Sequence, residues 1–249
     1  MLRKVVAAIR TVFVVPLFFG FTLFIAGLVT VVAVLRPDSP VVERLIRAWS
    51  RAFVRAAGSR LTIEGRGKVD VAGQYVFVAN HLSNLDIPVM FLTAPVPIRY
   101  LAKKEVYKIP MVAMAMRKIG IVKVDRGGGN AMHSVVNAGV AAAKARGHSL
   151  IIFPEAHRSI SGDLRTFKKG AFRIAIANGL PVVPVTIEGT WEVWPPGSKL
   201  FYPGKVQTRV HDPISTTGLT LGDIDELRKK VHEIIGSSYE AMRHARGQS

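Results

Sequence analysis

The stretch YVFVANHLSNLD, residues 75–86, decides the fold class of this chain. Its first five residues are apolar, its middle is polar, and an apolar helical pattern begins at Leu85. A short apolar run that ends in a polar turn and then passes into a helix is typical of an α/β protein. The stretch therefore predicts one strand–turn–helix unit.

The same alternation continues along the rest of the chain. Apolar, β-rich runs predict strands at 61–64, 75–79, 98–102, 121–124, 150–153, 182–187 and 206–210. Helical patterns lie between or after them, at 85–92, 111–118, 130–146, 169–178 and 223–243, and the chain after about residue 241 is expected to fray. This order predicts an α/β fold with a mostly parallel seven-stranded sheet flanked by helices.

The N-terminal segment differs from the rest of the chain in composition. Residues 11–35 contain no charged side chain, and at about 1.5 Å per residue they could cross a hydrocarbon core of about 30 Å. Pro16, Gly20 and Gly27 are expected to interrupt this run. Residues 41–57 follow with apolar and arginine side chains on opposite faces, which is typical of a helix at a lipid headgroup boundary.

These two segments predict a membrane-associated helical hairpin over residues 1–57, turning at 37–40, ahead of a second domain over residues 58–249. Two alternatives are open for the N-terminus: a cleaved signal peptide, or a helix that packs on the core of the protein. The sequence does not decide whether the hairpin spans the bilayer or dips into one leaflet.

Charge and cysteine content narrow the possible partners and sites. The net charge is +17 and the chain has no cysteine, which excludes disulfides, Cys-ligated zinc and cysteine nucleophiles. Because the basic charge accompanies an apolar anchor, it favours anionic membrane lipids as partners over nucleic acid. No nucleic-acid recognition motif is present.

His81 and Asp86 are the first candidate pair for chemistry. Five residues apart, they would lie on opposite sides of a strand and about 140° apart on a helix, so they can meet only across a bend. A loop at the carboxyl end of a strand is where α/β sheets usually bind ligands. A neutral imidazole held there by a carboxylate is suited to general base catalysis. The alternative is that His81 and Asp86 only cap a turn and a helix.

Basic side chains follow other predicted strands and suit a phosphate. FPEAHRS, residues 153–159, contains Glu155, His157 and Arg158, and an arginine can grip phosphate through two parallel hydrogen bonds. A solvated basic loop is the alternative. Further candidate phosphate or membrane ligands are Lys103 with Lys104, Arg126 in IVKVDR, and Lys168 with Lys169 at the start of a predicted helix.

Together these segments carry a resemblance. NHLSNLD, VDR, FPEAHRS and VPVTIEG resemble, in order, the four sequence blocks of the glycerolipid acyltransferases, specifically the 1-acylglycerol-3-phosphate acyltransferases. The likeness covers about residues 75–189 and implies the glycerolipid acyltransferase fold. It implies acyl transfer from acyl-CoA or acyl carrier protein to the 2-hydroxyl of lysophosphatidic acid, giving phosphatidic acid. It also implies that His81 is the base, that Asp86 orients it, and that Arg126, Glu155 and Arg158 line the phosphate site, Arg158 being the main ligand.

The chain departs from the family in the third block. The family usually has Gly and Thr where this chain has Ala156 and His157. Alanine lacks the easy access of glycine to positive φ, and His157 is expected to be either a third phosphate contact or a surface side chain. Alternatives for the function are the same chemistry on glycerol-3-phosphate, another lysophospholipid or a glycolipid, or a non-catalytic basic binding module.

The chemistry and the charge set the expected surroundings of the reaction. Attack on a thioester needs no metal, the sequence shows no metal-ligand spacing, and no cofactor is expected beyond acyl-CoA or acyl carrier protein as co-substrate. The basic charge beside the apolar anchor predicts action at the cytoplasmic face of the cell membrane. The acyl chain length, the choice of donor, the oxyanion-stabilising groups and the oligomeric state are left open by the sequence.

Overall fold

A computed structural model describes residues 2–36, 38–124 and 129–247. In this part of the chain seven strands form one sheet: β1 (Ser59–Glu64), β2 (Val76–Ala79), β3 (Ile98–Lys103), β4 (Val122–Val124), β5 (Ser149–Ile152), β6 (Val182–Glu188) and β7 (Gly204–Val210). Their order across the sheet is β1-β7-β6-β2-β5-β3-β4. Every neighbouring pair is parallel except β6 with β7. The predicted fold class is therefore confirmed.

Helices cover both faces of this sheet. They are α1 (Leu2–Leu35), α2 (Pro40–Ala56), α3 (Asp86–Thr93), α4 (Pro110–Ile119), α5 (Gly129–Ala145), α6 (Gly170–Asn178), α7 (Thr190–Val193) and α8 (Ile224–Gly247). A 3₁₀ turn, Lys104–Lys108, connects β3 to α4. The five helices predicted after residue 58 are all present. The single-turn helix α7 was not predicted, because four residues are too few for a helical period to show.

β2 forms the centre of the molecule. All four of its side chains are fully buried. Phe77 and Ala79 pack into an apolar cluster with α1, α2 and α4, whereas Val76 and Val78 pack into a second cluster with α6 and α8. Side chains of a strand alternate between the two faces of the sheet, and here both faces are covered. The sequence of β2 is therefore apolar at every position.

α1 and α2 form the predicted hairpin. Phe18 stacks on Phe53 with ring centroids 4.5 Å apart, and Trp49 Nε1 donates to Thr22 Oγ1 at 3.1 Å. Further toward the N-terminus of α1, the guanidinium of Arg10 donates to the Ala56 carbonyl at the end of α2. The reversed order of these contacts makes the two helices antiparallel. Residue 37, in the predicted turn, lies outside the described residues.

The prediction that Pro16, Gly20 and Gly27 interrupt the first helix is wrong. α1 is continuous from Leu2 to Leu35 with Pro16 inside it. A proline in a helix removes one backbone hydrogen bond, and here the packing of α1 along α2 and α4 offsets that loss.

One side of α1 packs on the protein and the other side is exposed and apolar. The outer face of α1 is formed by Val5, Ile9, Val12, Phe13, Val15, Leu17, Phe19, Phe24, Leu28, Val31, Val34 and Leu35. Residues Ala7–Leu35 are long and apolar enough to cross a membrane, by length and composition. A surface this apolar is typical of an interaction site for lipid or protein.

The last helix is longer than predicted. A capping box of Thr220 and Asp223 precedes it, as expected, but α8 then continues to Gly247 without fraying after residue 241. Arg243 pairs with Asp163 at 3.0 Å, and Arg246 pairs with Glu188 at 2.9 Å. These acidic partners hold the basic end of the helix on the sheet.

A buried charge cluster joins α2 to the sheet. Arg99 on β3 is 2% exposed, and its Nη2 donates to Glu43 Oε1 on α2 at 2.6 Å. The same nitrogen lies 3.1 Å from His148 Nε2. Burial, together with the charge of Arg99, lowers the pKa of His148 to about 4. Neutral His148 therefore accepts from Arg99, and Glu43 supplies the counter-charge.

We expect Glu43→Gln to destabilise the fold by about 2 kcal/mol, because it leaves a buried guanidinium without a carboxylate. The matched control is Glu64→Gln, which removes the exposed pair of Glu64 with Arg209 and should cost less than about 1 kcal/mol. Denaturant unfolding in detergent measures both. Equal losses for the two variants would contradict the role given to Arg99.

Candidate active site

The loops that follow β2, β5 and β6 meet at one edge of the sheet. β2 is parallel to both β5 and β6, so the carboxyl ends of these strands lie side by side. The turn after β2 begins with Asn80 and His81, and the loop after β5 begins with Phe153. This edge is where ligands bind in sheets of this kind.

Asp86 shapes the turn after β2. It is the first residue of α3 and is fully buried. Its Oδ2 accepts from the backbone N–H groups of Leu82, at 2.7 Å, and Ser83, at 2.8 Å. The same oxygen lies 2.7 Å from His81 Nδ1. The chain therefore bends around one carboxylate, and the structure brings His81 and Asp86 together across that bend.

The contacts of Asp86 determine which nitrogen of His81 is free. Oδ2 of Asp86 accepts two backbone N–H groups and therefore has no hydrogen of its own to donate to His81. The hydrogen between Oδ2 and the imidazole must then belong to Nδ1 of His81. Nε2 then holds a lone pair. The ring stacks on Phe153 at 4.2 Å with an interplanar angle of 16°, and its side chain is 16% exposed. A fixed imidazole with one available lone pair can remove a proton from a bound hydroxyl.

Glu155 lies beneath the site and does not line it. Contrary to the prediction of a phosphate-lining residue, it is 2% exposed. Its Oε1 accepts from the backbone N–H of His81 at 2.8 Å, and its Oε2 accepts from that of Arg165 at 3.2 Å. Burial raises the pKa of Glu155 to about 7, against these two donors, which favour the ionised form. Glu155 thus ties the loop after β5 to the backbone of His81.

Arg158 is held close to His81 through the backbone. Ser159 donates its N–H to the carbonyl of His81 at 2.9 Å, and Arg158 precedes it with a half-buried side chain. Among the described residues the Arg158 guanidinium has no hydrogen-bond or ion-pair partner in the protein. An arginine of this kind beside a base is suited to an anionic ligand. His157 is exposed on the same loop.

The three remaining candidate residues lie in different places. Arg126 lies outside the described residues. Lys103 ends β3, so its backbone lies at the same edge of the sheet, but its side chain is not among those described. Lys169 is not part of the cluster formed by His81, Glu155 and Ser159. Its ammonium group forms an exposed ion pair with Asp225 at 2.7 Å, at the start of α8.

Two long-range contacts that hold the turn were not predicted from the sequence. Asn80 is fully buried, and its side-chain amide both donates to and accepts from the backbone of Ile187 on β6, at 2.8 Å each. Ser83 Oγ donates to the Trp194 carbonyl at 2.8 Å. Both partners are more than 100 residues away in the chain, so a local pattern carried no signal for them.

Ala156 has a backbone conformation that glycine, the residue at this position in the family that the sequence resembles, would favour. Its φ is +64°, in the left-handed region, which costs a residue with a Cβ about 1 kcal/mol. Ala156 therefore stores strain in this loop.

Replacing Ala156 with glycine should raise the free energy of unfolding by about 1 kcal/mol, because glycine adopts this φ without a Cβ clash. Ala142→Gly, at an exposed position in α5, is the control and should lower it by about 1 kcal/mol. Thermal unfolding of both variants measures the difference. A loss of stability in Ala156→Gly would show that the loop is not strained.

The chain is similar to known proteins over most of its length. A 1-acyl-sn-glycerol-3-phosphate acyltransferase of Limnanthes alba is 29% identical over 76% of this chain and 67% of its own length. The human 1-acyl-sn-glycerol-3-phosphate acyltransferase alpha is 27% identical over 92% of this chain and 81% of its own length. The crystal structure of the 1-acyl-sn-glycerophosphate acyltransferase PlsC from Thermotoga maritima superposes with a TM-score of 0.83, at 28% identity, over 97% of this chain and 98% of that one.

A family model described as Acyltransferase matches residues 60–188, more than half of the chain. The matched segment runs from β1 to the last residue of β6 and contains His81, Asp86, Glu155 and Arg158. On this match, the chain belongs to the acyltransferase family.

Proposed function

We propose that the protein transfers a fatty acyl group from the thioester of acyl-CoA or acyl carrier protein to the 2-hydroxyl of 1-acyl-glycerol-3-phosphate, giving phosphatidic acid. The observation that carries the proposal is the His81–Asp86 pair with Arg158 on the adjoining loop. The His81–Asp86 pair supplies a base, and Arg158 supplies a site for the phosphate. The relatives named above are 1-acylglycerophosphate acyltransferases, which supports this acceptor.

His81 acts as the general base in the proposed step. Nε2 takes the proton of the acceptor hydroxyl as its oxygen attacks the thioester carbonyl carbon. The tetrahedral intermediate collapses by breaking the carbon–sulfur bond, and the sulfur takes the proton back from the imidazolium and leaves as the free thiol. Asp86 stabilises the imidazolium through Nδ1–H, and Phe153 keeps the ring in place. Because the thioester already activates the acyl carbon, the hydroxyl can attack it directly, without a covalent acyl-enzyme intermediate.

Arg158 is the main ligand of the acceptor phosphate in this proposal. Its guanidinium can donate two parallel hydrogen bonds to phosphate oxygens, which anchors the acceptor so that its hydroxyl is presented to His81. His157, Lys103 and Arg126 are proposed as additional contacts. Glu155 acts as a positioning residue through the His81 backbone, and Lys169 is left out because it pairs with Asp225.

The helical hairpin is proposed as the membrane anchor, with residues 1–57 as the anchoring unit and 58–249 as the catalytic unit. Small or apolar residues of α1 from Ala7 to Ala33 are buried against the protein, so lipid can reach only the outer face of α1. A helix covered by protein along one side suits a position within one leaflet better than a full span. We propose the cytoplasmic leaflet, where anionic lipid attracts the basic surface.

His81→Ala should abolish acyl transfer while vesicle binding is retained, because the base is removed and the anchor is untouched.

Asp86→Asn should lower kcat by about 100-fold or more, since an amide no longer holds the Nδ1–H tautomer reliably. Turnover of labelled acyl-CoA with lysophosphatidic acid measures both. Transfer at the unmodified rate in His81→Ala would refute the base.

Arg158→Ala should raise KM for lysophosphatidic acid by roughly 10- to 100-fold with a smaller change in kcat, because a charged hydrogen-bond pair to the phosphate is lost. Arg173→Ala, at an exposed position in α6, is the matched control. Both variants are tested on lysophosphatidic acid, glycerol-3-phosphate, lysophosphatidylcholine and a glycolipid acceptor. If unmodified protein shows no preference for lysophosphatidic acid, the proposed acceptor is wrong.

A further inference from the structure

A group of exposed apolar side chains lies outside the anchor hairpin and the site. Val106 is 43% exposed, Ile109 37%, Met111 43% and Met114 46%. The first two lie in and after the 3₁₀ turn that precedes α4, and the two methionines share one face of α4 because they are three residues apart. We call these four residues the α4 patch.

The α4 patch is continuous with the outer face of α1. α4 packs along α1, and Met111 Sδ lies 3.9 Å from the position that a Cβ on Gly27 would occupy. Phe24 and Leu28, on either side of Gly27, are exposed on the outer face. The two helices therefore present one apolar surface to the outside.

Cations border the α4 patch. Lys108 precedes α4, and Arg117 and Lys118 occupy its last turn; all three are exposed. Glu105 is the only acidic residue in the sequence from 104 to 119. An apolar strip with lysine and arginine at its ends complements an anionic bilayer, where methionines reach the acyl boundary and cations stay among the phosphates.

The α4 patch also lies at the edge of the sheet that carries the site. The 3₁₀ turn follows the carboxyl end of β3, and β3 is parallel to β5, which is parallel to β2. The patch therefore begins at the edge where the turn after β2 places His81.

We propose that the α4 patch is a second bilayer contact, which docks on an anionic lipid surface and fixes the rotation of the protein about the axis of α1. Lipid reaches only the outer face of α1, but this face is wide enough that the protein can still tilt about the axis of α1 while the helix lies in a leaflet. A second contact beside α1 removes that freedom and turns the His81 edge toward the membrane. This inference rests on the proposed membrane attachment and names a surface outside the hairpin.

Site-specific labelling tests the docking directly, because the chain has no cysteine of its own. Met114→Cys carries an environment-sensitive fluorophore, and Val71→Cys is the control, at a 72% exposed position shortly before β2, at the opposite edge of the sheet. On phosphatidylcholine–phosphatidylglycerol vesicles containing nitroxide-labelled lipid, we expect a blue shift and quenching at Met114 and neither at Val71. An unquenched label at Met114 in vesicle-bound protein would overturn the proposal.

A charge-matched pair of double variants tests the consequence for activity. Met111→Glu with Met114→Glu, and Val71→Glu with Leu221→Glu, each lower the net charge by two at exposed apolar positions. The α4 pair should lower turnover of vesicle-borne acceptor by about tenfold and leave turnover of a monomeric short-chain acceptor unchanged. The control pair should change neither.

Equal losses in the two double variants would also overturn the proposal. The labelling result does not depend on catalysis. If the unmodified protein transfers no acyl group, the proposed function fails while the docking surface is still tested by quenching.

Discussion

A buried carboxylate at the start of α3 sets the geometry on which the rest of the site depends. Asp86 has no access to water, so its charge must be stabilised by donors from the protein. Two backbone N–H groups and His81 Nδ1 all converge on Oδ2. That convergence bends the chain, fixes the imidazole tautomer and sets the direction in which α3 leaves the sheet. The catalytic role proposed for His81 is thus a consequence of how the turn folds.

Glu155 supplies the second constraint, through the backbone of His81. One carboxylate joins the His81 backbone to that of Arg165, and the Ser159 N–H joins the same loop to the His81 carbonyl. The acidic groups of the site therefore face inward, toward backbone donors. Arg158 and His157 lie on the outer side of the same loop. This separation of charge leaves the accessible side of the site positive, as a phosphate-bearing substrate requires.

Several features were predictable from sequence because the physics behind them is local. The apolar run at 75–79 is visible because both faces of β2 are buried, and the spacing of His81 and Asp86 already required a bend. The position of Glu155 was not predictable, because its donors at His81 and Arg165 are 74 and 10 residues away. The continuous α1 and the full length of α8 also depend on tertiary packing. Pro16 is tolerated because α2 and α4 support its helix, and the end of α8 is held by Asp163 and Glu188. Arg126 lies outside the described residues, and its role stays a prediction.

The proposed chemistry depends on Asp86 holding His81 with a proton on Nδ1 and a lone pair on Nε2. Nitrogen-15 NMR of protein labelled at histidine, with His81 assigned through a His81→Gln variant, reports the two ring nitrogens separately. We expect a protonated Nδ1 coupled to its hydrogen and an unprotonated Nε2 at the pH where acyl transfer is fastest. A His81 ring that carries its proton on Nε2 at that pH would contradict this expectation.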